Sequence, residues 1–313
     1  MAVATFAAVT LGIVVVNDWL LEKATRANPA SRVNWLYQSQ PAEYEIAILG
    51  SSMAKEGIDP GLLAEACHIS ADSVVQLSWG GRGVSEQALY FELFLQRHKC
   101  KQLLLELHPR GLEKDVLTHP LDEFRYLARL DEPVVFRHVA RQCGYWPTQL
   151  WRSVPMWGFA IFSTQIGWHD VLAWRRGESF EPNRIEEPSA AEVQDVESHK
   201  QELARQLEDP SKQPGFTEIS VLSEEQFVDI VELCRKHNVQ LLAFIPPVYE
   251  PSKFAPWLPR YKSLLGRETT VLNPAGDYLL DPEAFVDALH VNALGRQRFT
   301  EELARLRIGL SLQ

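Results

Sequence analysis

Cysteine is scarce in this chain, with four among 313 residues at positions 67, 100, 143 and 234. They are widely spread and stand at none of the short spacings that zinc sites use, and they do not decide a redox compartment. Cys67 and Cys100 each follow a helix-like segment and precede a strand-like one, so a bridge between them and separate buried thiols both fit. Positive charge is short too: 31 Lys and Arg against 41 Asp and Glu leave a formal net charge of −10. That deficit argues against nonspecific binding to nucleic acid or anionic lipid, since both require clustered cations. The turn Gly80-Gly81-Arg82-Gly83 lacks the Lys-Ser/Thr of a phosphate loop and the spacing of a dinucleotide fingerprint, which removes both nucleotide readings. Glu106 and His108 stand together without a His-Glu-x-x-His or Cys-pair pattern, so no metal is expected there, and no other cofactor is implied.

Hydrophobic residues make up 46% and charged residues 23%, enough for one large core plus an insertion, and unlike a disordered scaffold. The longest apolar stretch is at the start. Met1 to Val16 carries no charge, and Trp19-Leu20-Leu21 extends the run past Asn17 and Asp18. Residues 1–22 are therefore expected to form an N-terminal apolar helix serving as an uncleaved, slightly short membrane anchor, with a signal peptide or a buried helix as the alternatives. Lys23, Arg26 and Arg32 follow this run, and by the positive-inside rule alone they would hold the body in the cytoplasm.

Strand-like runs occur at Ile46–Leu49, Val74–Leu77, Leu103–Leu107, Gln240–Phe244 and Thr270–Leu272. Between them, Leu62–Cys67, Glu86–His98 and Glu224–His237 carry helical periodicity. This alternation predicts an α/β domain with a doubly wound parallel sheet in three layers. It stops between about 112 and 215. That stretch holds Tyr126, Trp146, Trp151, Trp157, Phe159, Phe162, Trp168 and Trp174, followed by an acidic tract from Glu178 to Lys212. It reads as a helical insertion and then a mobile segment, interrupting a domain that spans 40–313. The tryptophans fit a packed satellite core, a belt at a membrane interface, or stacking platforms for sugar rings.

Two short stretches at opposite ends of the chain carry the chemistry. Glu45-Ile46-Ala47-Ile48-Leu49 is a short buried strand that breaks at Gly50-Ser51-Ser52, placing a serine at the carboxyl end of a strand, where α/β sheets bind ligands. Near the other end, Asp287 precedes His290 by three residues. On an irregular turn its carboxylate can curl back to Nδ1 and leave Nε2 facing a serine, which supplies nucleophile, base and orienter. Asn292 then caps a helix with apolar positions at Phe299, Leu303 and Leu306. The ordinary reading of Gly-Ser-Ser is a strand-to-helix turn with a cap, and that of Asp-x-x-His is a surface pair. Their joint placement favours the catalytic one.

On these residues the chain resembles the SGNH, or GDSL-like, hydrolase family, specifically a membrane-anchored branch similar to polysaccharide O-acyltransferase and D-alanyl transfer proteins. Gly50-Ser51-Ser52 matches its Gly-Asp-Ser block with Ser51 in the Asp seat, and Asp287 with His290 matches its final block. Gln76 to Gly81 resembles the second block, Gly81 being the better candidate and Gly80 the alternate for a backbone oxyanion donor beside the N–H of Ser52. The Gly-x-Asn-Asp block has no counterpart, and the matching strand end reads Leu103 to Arg110, with Arg110 or His108 as substitutes for the missing donor and as substrate contacts. Pro247 and Tyr249, at the exit of the fourth strand, are expected to line an acyl or sugar pocket.

The resemblance implies an SGNH/flavodoxin-like fold and a Ser52-His290-Asp287 serine esterase or acyltransferase. It would act on an acyl group, acetyl by expectation, of a cell-surface or exported bacterial polysaccharide, from the extracytoplasmic side of a membrane. A membrane-bound O-acyltransferase is implied as a partner. A plain carbohydrate esterase or deacetylase, and a non-catalytic polysaccharide-binding or assembly protein, remain as alternatives.

Overall fold

The computed structural model describes residues 26, 31–81, 83–108, 110–112, 129, 131–145, 172, 176–185, 196–209, 219–251, 257–267 and 269–311. The chain divides into two compact units, one of residues 1–40 and 119–181 and the other of 41–118 and 182–313. The expected interruption at 112–215 overlaps the 119–181 part of the smaller unit, and the stretch from 182 onward is grouped with the larger one. The apolar stretch 1–22 and the aromatic residues of the insertion from Tyr126 to Trp174 lie outside the described residues. Among the described residues, no helix is long and apolar enough to cross a membrane.

In the smaller unit, helix α1 (Arg32–Gln38) is capped by the Ser31 hydroxyl. The Arg129 guanidinium stands 3.6 Å from the centroid of the Tyr37 ring and donates to Asn34 Oδ1 at 2.9 Å and to Glu132 Oε1 at 3.2 Å.

The larger unit runs β1 (Glu43–Leu49), α2 (Ser52–Gly57), α3 (Pro60–Ala66), β2 (Val74–Gln76), α4 (Val84–Arg97) and β3 (Lys99–Glu106). With α5 (Pro133–Tyr145) in the smaller unit, it continues through α6 (Val196–Glu208), α7 (Val221–Lys236), β4 (Gln240–Phe244), α8 (Leu258–Leu265), β5 (Thr270–Leu272) and α9 (Ala293–Ser311). All five strands are parallel, in the order β2-β1-β3-β4-β5. Parallel strands need crossovers and are buried on both faces, which explains why Ile46 to Leu49 and Leu103 to Leu105 are continuously apolar. Ile46, Ile48, Leu104, Leu242 and Phe244 share one core with Met53, Ala54, Leu63, Phe299 and Leu303 of α2, α3 and α9. Side chains alternate along a strand, so Ala47, Leu49, Leu103, Leu105 and Ala243 turn to the opposite face, where α4 and α7 pack.

The five strands and three main crossover helices expected from periodicity are present, within a few residues of the expected limits. The acidic tract is where expectation and structure part. Instead of a mobile segment, residues 196–208 form α6, whose Leu203 and Leu207 are buried in the same core as Ile48 and Phe299. Its polar composition hid a narrow apolar stripe, one helical turn apart. Further back in the tract, Asn183 donates from Nδ2 to Val74 O at 2.7 Å and accepts from Gln76 N at 2.9 Å. One amide thereby occupies the open backbone edge of β2 and blocks further strand pairing there. Cys67, Cys100 and Cys234 are free thiols, the last two buried.

Candidate active site

In the strand order 2-1-3-4-5, chain direction across the sheet reverses between β1 and β3, and ligands of such sheets bind outside the strand ends at that reversal. Ser52 follows β1 and His108 follows β3, so both stand at this point.

The turn after β1 is built around close contacts. Ser51 is the cap of α2, its Oγ accepting from Met53 N at 3.2 Å. The ordinary capping role therefore falls to Ser51 and leaves the neighbouring hydroxyl of Ser52 free for other work. Trp79 N donates to Gly50 O at 3.0 Å, continuing the β1–β2 pairing beyond both strands and bringing the glycine turn alongside. Gly80 lies next to Ser52: a Cβ there would stand 3.5 Å from Ser52 Cβ. Gly81, at φ +70°, would direct a Cβ into open space. Only glycine takes that left-handed backbone without strain.

His290 is delivered by a loop that the core holds at several points. Phe285 and Val291 form an antiparallel bridge, Val286 N donates to His290 O at 2.9 Å, and Asn292 Oδ1 accepts from Leu294 N and Gly295 N to start α9. Helix α6 adds two more ties, His199 Nε2 to Phe285 O at 3.1 Å and Gln206 Oε1 accepting from Ala288 N at 3.3 Å. Tyr249 supports the same loop from behind. It is 1% exposed, its ring meets Phe285 edge-on, and its N–H donates to Ala288 O at 3.1 Å. Pro247 is buried, and a Cβ on Gly57 would reach its Cγ at 2.9 Å. Leaving the sheet, the Pro-Pro exit turns these side chains inward as packing for the His290 loop and the end of α2.

The three residues singled out by spacing meet. His290 Nε2 is 2.9 Å from Ser52 Oγ, and His290 Nδ1 is 2.9 and 3.0 Å from the two Asp287 oxygens. Asp287 Oδ1 also accepts from the backbone N–H groups of Leu289 and His290 at 2.8 and 2.9 Å, which fixes the carboxylate before it meets the ring. With Nδ1–H donated to Asp287, Nε2 is left to accept the serine proton.

Burial alone would lower the His290 pKa, but the hydrogen bond and charge of Asp287, joined by Glu56 and Glu106, outweigh it and raise it above the ordinary 6.5. Burial likewise raises Asp287, yet His290 and the two backbone donors prevail and hold it below 3.8. Two pH effects follow with opposite senses. His290 contributes stability that is full below 6.5 and lost as pH rises through its folded pKa, whereas the Asp287 contribution is present above 3.8 and lost as pH falls through its folded pKa. Base function needs neutral imidazole, so a pH–rate profile of kcat/KM should show a rising limb with its midpoint above 6.5. Asp287→Asn should move that midpoint down and lower kcat on the order of 10⁴-fold, because the ring loses both its charge partner and its tautomer. A profile unchanged in that variant would rule out the assignment.

At the end of β3, His108 Nδ1 accepts from Arg110 N at 3.0 Å, so the neutral ring carries its proton on Nε2. Burial, with the charges of Arg110 and His290, pushes its pKa down to about 4, and at neutral pH it is an uncharged donor. Tyr261 OH donates to His108 O at 2.9 Å and fixes this backbone. Arg110 is half-buried in the same turn.

Glu106 is the residue whose role sequence reasoning missed. It is 3% exposed, and its Oε2 accepts from Ser51 N and Ala54 N at 2.9 Å each, while Oε1 accepts from Ser51 Oγ at 2.7 Å. The signal was present: a lone acid directly ending the apolar run Leu103-Leu104-Leu105 must be buried with its strand, and so needs donors. Among the described residues, no three His, Cys, Asp or Glu side chains converge to hold a metal ion.

Comparison with known proteins finds no matching family model, and no curated protein matches the sequence.

Proposed function

We propose that this chain is an SGNH-like serine esterase or O-acyltransferase, acting on an acyl group, acetyl by expectation, carried by a cell-surface or exported polysaccharide. The hydrogen-bonded series Ser52 Oγ, His290 Nε2, His290 Nδ1 and Asp287 carries this reading, since residues from two distant stretches of the chain meet at 2.9–3.0 Å. Ser52 Oγ attacks the acyl carbonyl as His290 Nε2 takes its proton. Collapse of the tetrahedral intermediate breaks the ester bond, and His290 returns the proton to the leaving alkoxide. A second hydroxyl, from water or from a sugar, then gives its proton to His290 and attacks the acyl-serine; as the acyl–Oγ bond breaks, His290 returns that proton to Ser52 Oγ, which restores the free serine.

The N–H groups of Ser52 and Gly81 are the proposed backbone donors to the oxyanion, a reading supported by the proximity of the adjacent Gly80 to Ser52, where an added Cβ would stand 3.5 Å from Ser52 Cβ. One such donor is worth on the order of 10²–10³ in rate. His108, uncharged with its proton on Nε2, is the proposed side-chain contact to substrate at the end of β3, and Arg110 follows it in the same turn. No cofactor enters the scheme. Residues 1–22 are proposed as a membrane anchor, with the catalytic unit extracytoplasmic and a membrane-bound O-acyltransferase as donor if the reaction is transfer.

A fluorophosphonate probe tests nucleophile activation directly. Labelling of Ser52, and its absence in His290→Ala, is the expected result; an unlabelled wild-type protein would refute the proposal. Acetyl release from p-nitrophenyl acetate, measured with and without an oligosaccharide acceptor, separates transfer from hydrolysis, because only a transferase yields acetylated sugar.

A further inference from the structure

Glu106 takes no part in the proton transfers above, yet it is the most deeply buried acid at the site and its carboxylate oxygens meet only donors. Oε2 receives two backbone N–H groups of the nucleophile turn, one on each side of Ser52, from Ser51 and Ala54. Oε1 receives the Ser51 hydroxyl, whose oxygen in turn accepts from Met53 N. The set is internally consistent for an ionised carboxylate: three donors reach it, and the single Ser51 proton points toward it. The backbone has been cleared for this contact. A Cβ at Gly50 would lie 2.4 Å from Glu106 Oε2 and 2.6 Å from Glu106 Cβ, so glycine is required there for close approach.

We propose that Glu106 is a positioning residue for the Ser52–His290 pair, its buried carboxylate fixing the Gly50–Ala54 turn that aims the Ser52 hydroxyl and setting a second negative charge against the imidazole. The inference rests on the reading of Ser52 as nucleophile and adds to it the group that holds the nucleophile in place. Ser52 is bracketed by the two anchored amides, so a shift of the carboxylate moves its Cα and Oγ together. A misplacement of about 1 Å at a reacting atom can cost on the order of 10²-fold in rate.

The charged and titratable groups around His290 are Asp287 on its own loop, Glu56 on α2, Glu106 on β3 and His108 beyond β3. Around Glu106 the charged or titratable group is His290, beside the uncharged Ser51 and Ala54 donors. Burial is the largest influence and raises the Glu106 pKa above the ordinary 4.5, while the Ser51 hydroxyl, the two amides and the His290 charge oppose that rise and favour the ionised carboxylate. Of the acids acting on His290, Asp287 orients the ring directly, and Glu106 also holds the turn that carries Ser52.

The closing experiment uses the full chain, with fluorophosphonate labelling rates and a pH series for wild type, Glu106→Gln and Glu106→Ala. In Glu106→Gln the amide oxygen can take the Oε2 seat and the NH₂ group can donate to Ser51 Oγ, so the fold is kept and mainly the charge is lost. The expected result is a labelling rate about tenfold lower, with the rising limb moved to lower pH. The His290 imidazole titration, followed by NMR and assigned by its loss in His290→Gln, should move the same way, which a purely structural role would not produce. Glu106→Ala, which strands the buried amides, should label about 10²-fold more slowly. A labelled wild type whose Glu106→Gln variant matches it in rate, limb and His290 titration would overturn the role of Glu106 and leave Ser52 as nucleophile. An unlabelled wild type would instead overturn the nucleophile reading, and this inference with it.

Discussion

Ser52→Ala is expected to remove fluorophosphonate labelling and to lower ester turnover on the order of 10⁶-fold, the scale at which loss of one triad member disables the whole unit. Folding should be nearly untouched, because the side chain is half-buried and gives up one hydrogen bond, to His290. The loss should therefore appear in kcat while circular dichroism and Tm stay close to wild type. Residual turnover over water of about 10³–10⁴ would remain from the oxyanion donors and binding. Polysaccharide acylation that continues unchanged in cells carrying this variant would instead favour the non-catalytic polysaccharide-binding or assembly protein.

Gly50→Ala is expected to damage stability and activity together. The added methyl group would stand 2.4 Å from Glu106 Oε2 and 2.7 Å from Ala54 Cβ. Neither neighbour can give way cheaply: Glu106 is fixed by β3 and by three hydrogen bonds, and Ala54 is fully buried in α2. Overpacking of this kind costs about 1–3 kcal/mol. Displacing a buried carboxylate from its donors adds to that cost. In a domain of this size each kcal/mol lowers Tm by about 2–4 °C, so a fall on the order of 5–10 °C is expected by scanning calorimetry. Probe labelling of the folded fraction should also slow, since the turn carries Ser52. A variant with wild-type Tm and labelling rate would show that Glu106 does not lie under this turn.

Much of the site was legible because its chemistry is local in sequence. Asp287 and His290 are three residues apart, and the carboxylate needs only its own turn to reach Nδ1. Gly50-Ser51-Ser52 announced itself as the break after an apolar run, and a parallel sheet places every such break at one edge. The two departures from the resembled family pattern, Ser51 and the strand end after Leu105, looked unrelated in the sequence. They touch, Ser51 Oγ donating to Glu106 Oε1 at 2.7 Å. The Gly50-Ser51-Ser52 turn thus meets a carboxylate from the neighbouring strand, a pairing of residues 55 positions apart that no local pattern carries.

A chain leaving a sheet can turn its side chains either way, and those of Tyr249 and Pro247 close against Phe285 and Gly57. The composition of the Glu178–Lys212 tract suggests mobility, yet two leucines one turn apart suffice to dock α6 when a core surface is waiting. That surface exists only after the sheet and α9 have assembled.

By itself the sequence determined the alternation of strands and helices, the parallel class of the sheet, the Asp287–His290 pair and the serine turn, because periodicity and short spacings act within a few residues. Tertiary structure decided that Ser52 and His290, 238 positions apart, meet at 2.9 Å, that Glu106 lies beneath the turn, and that α6 braces the histidine loop. Those contacts depend on strand order and on which face each helix covers, and both are set by burial of the whole core.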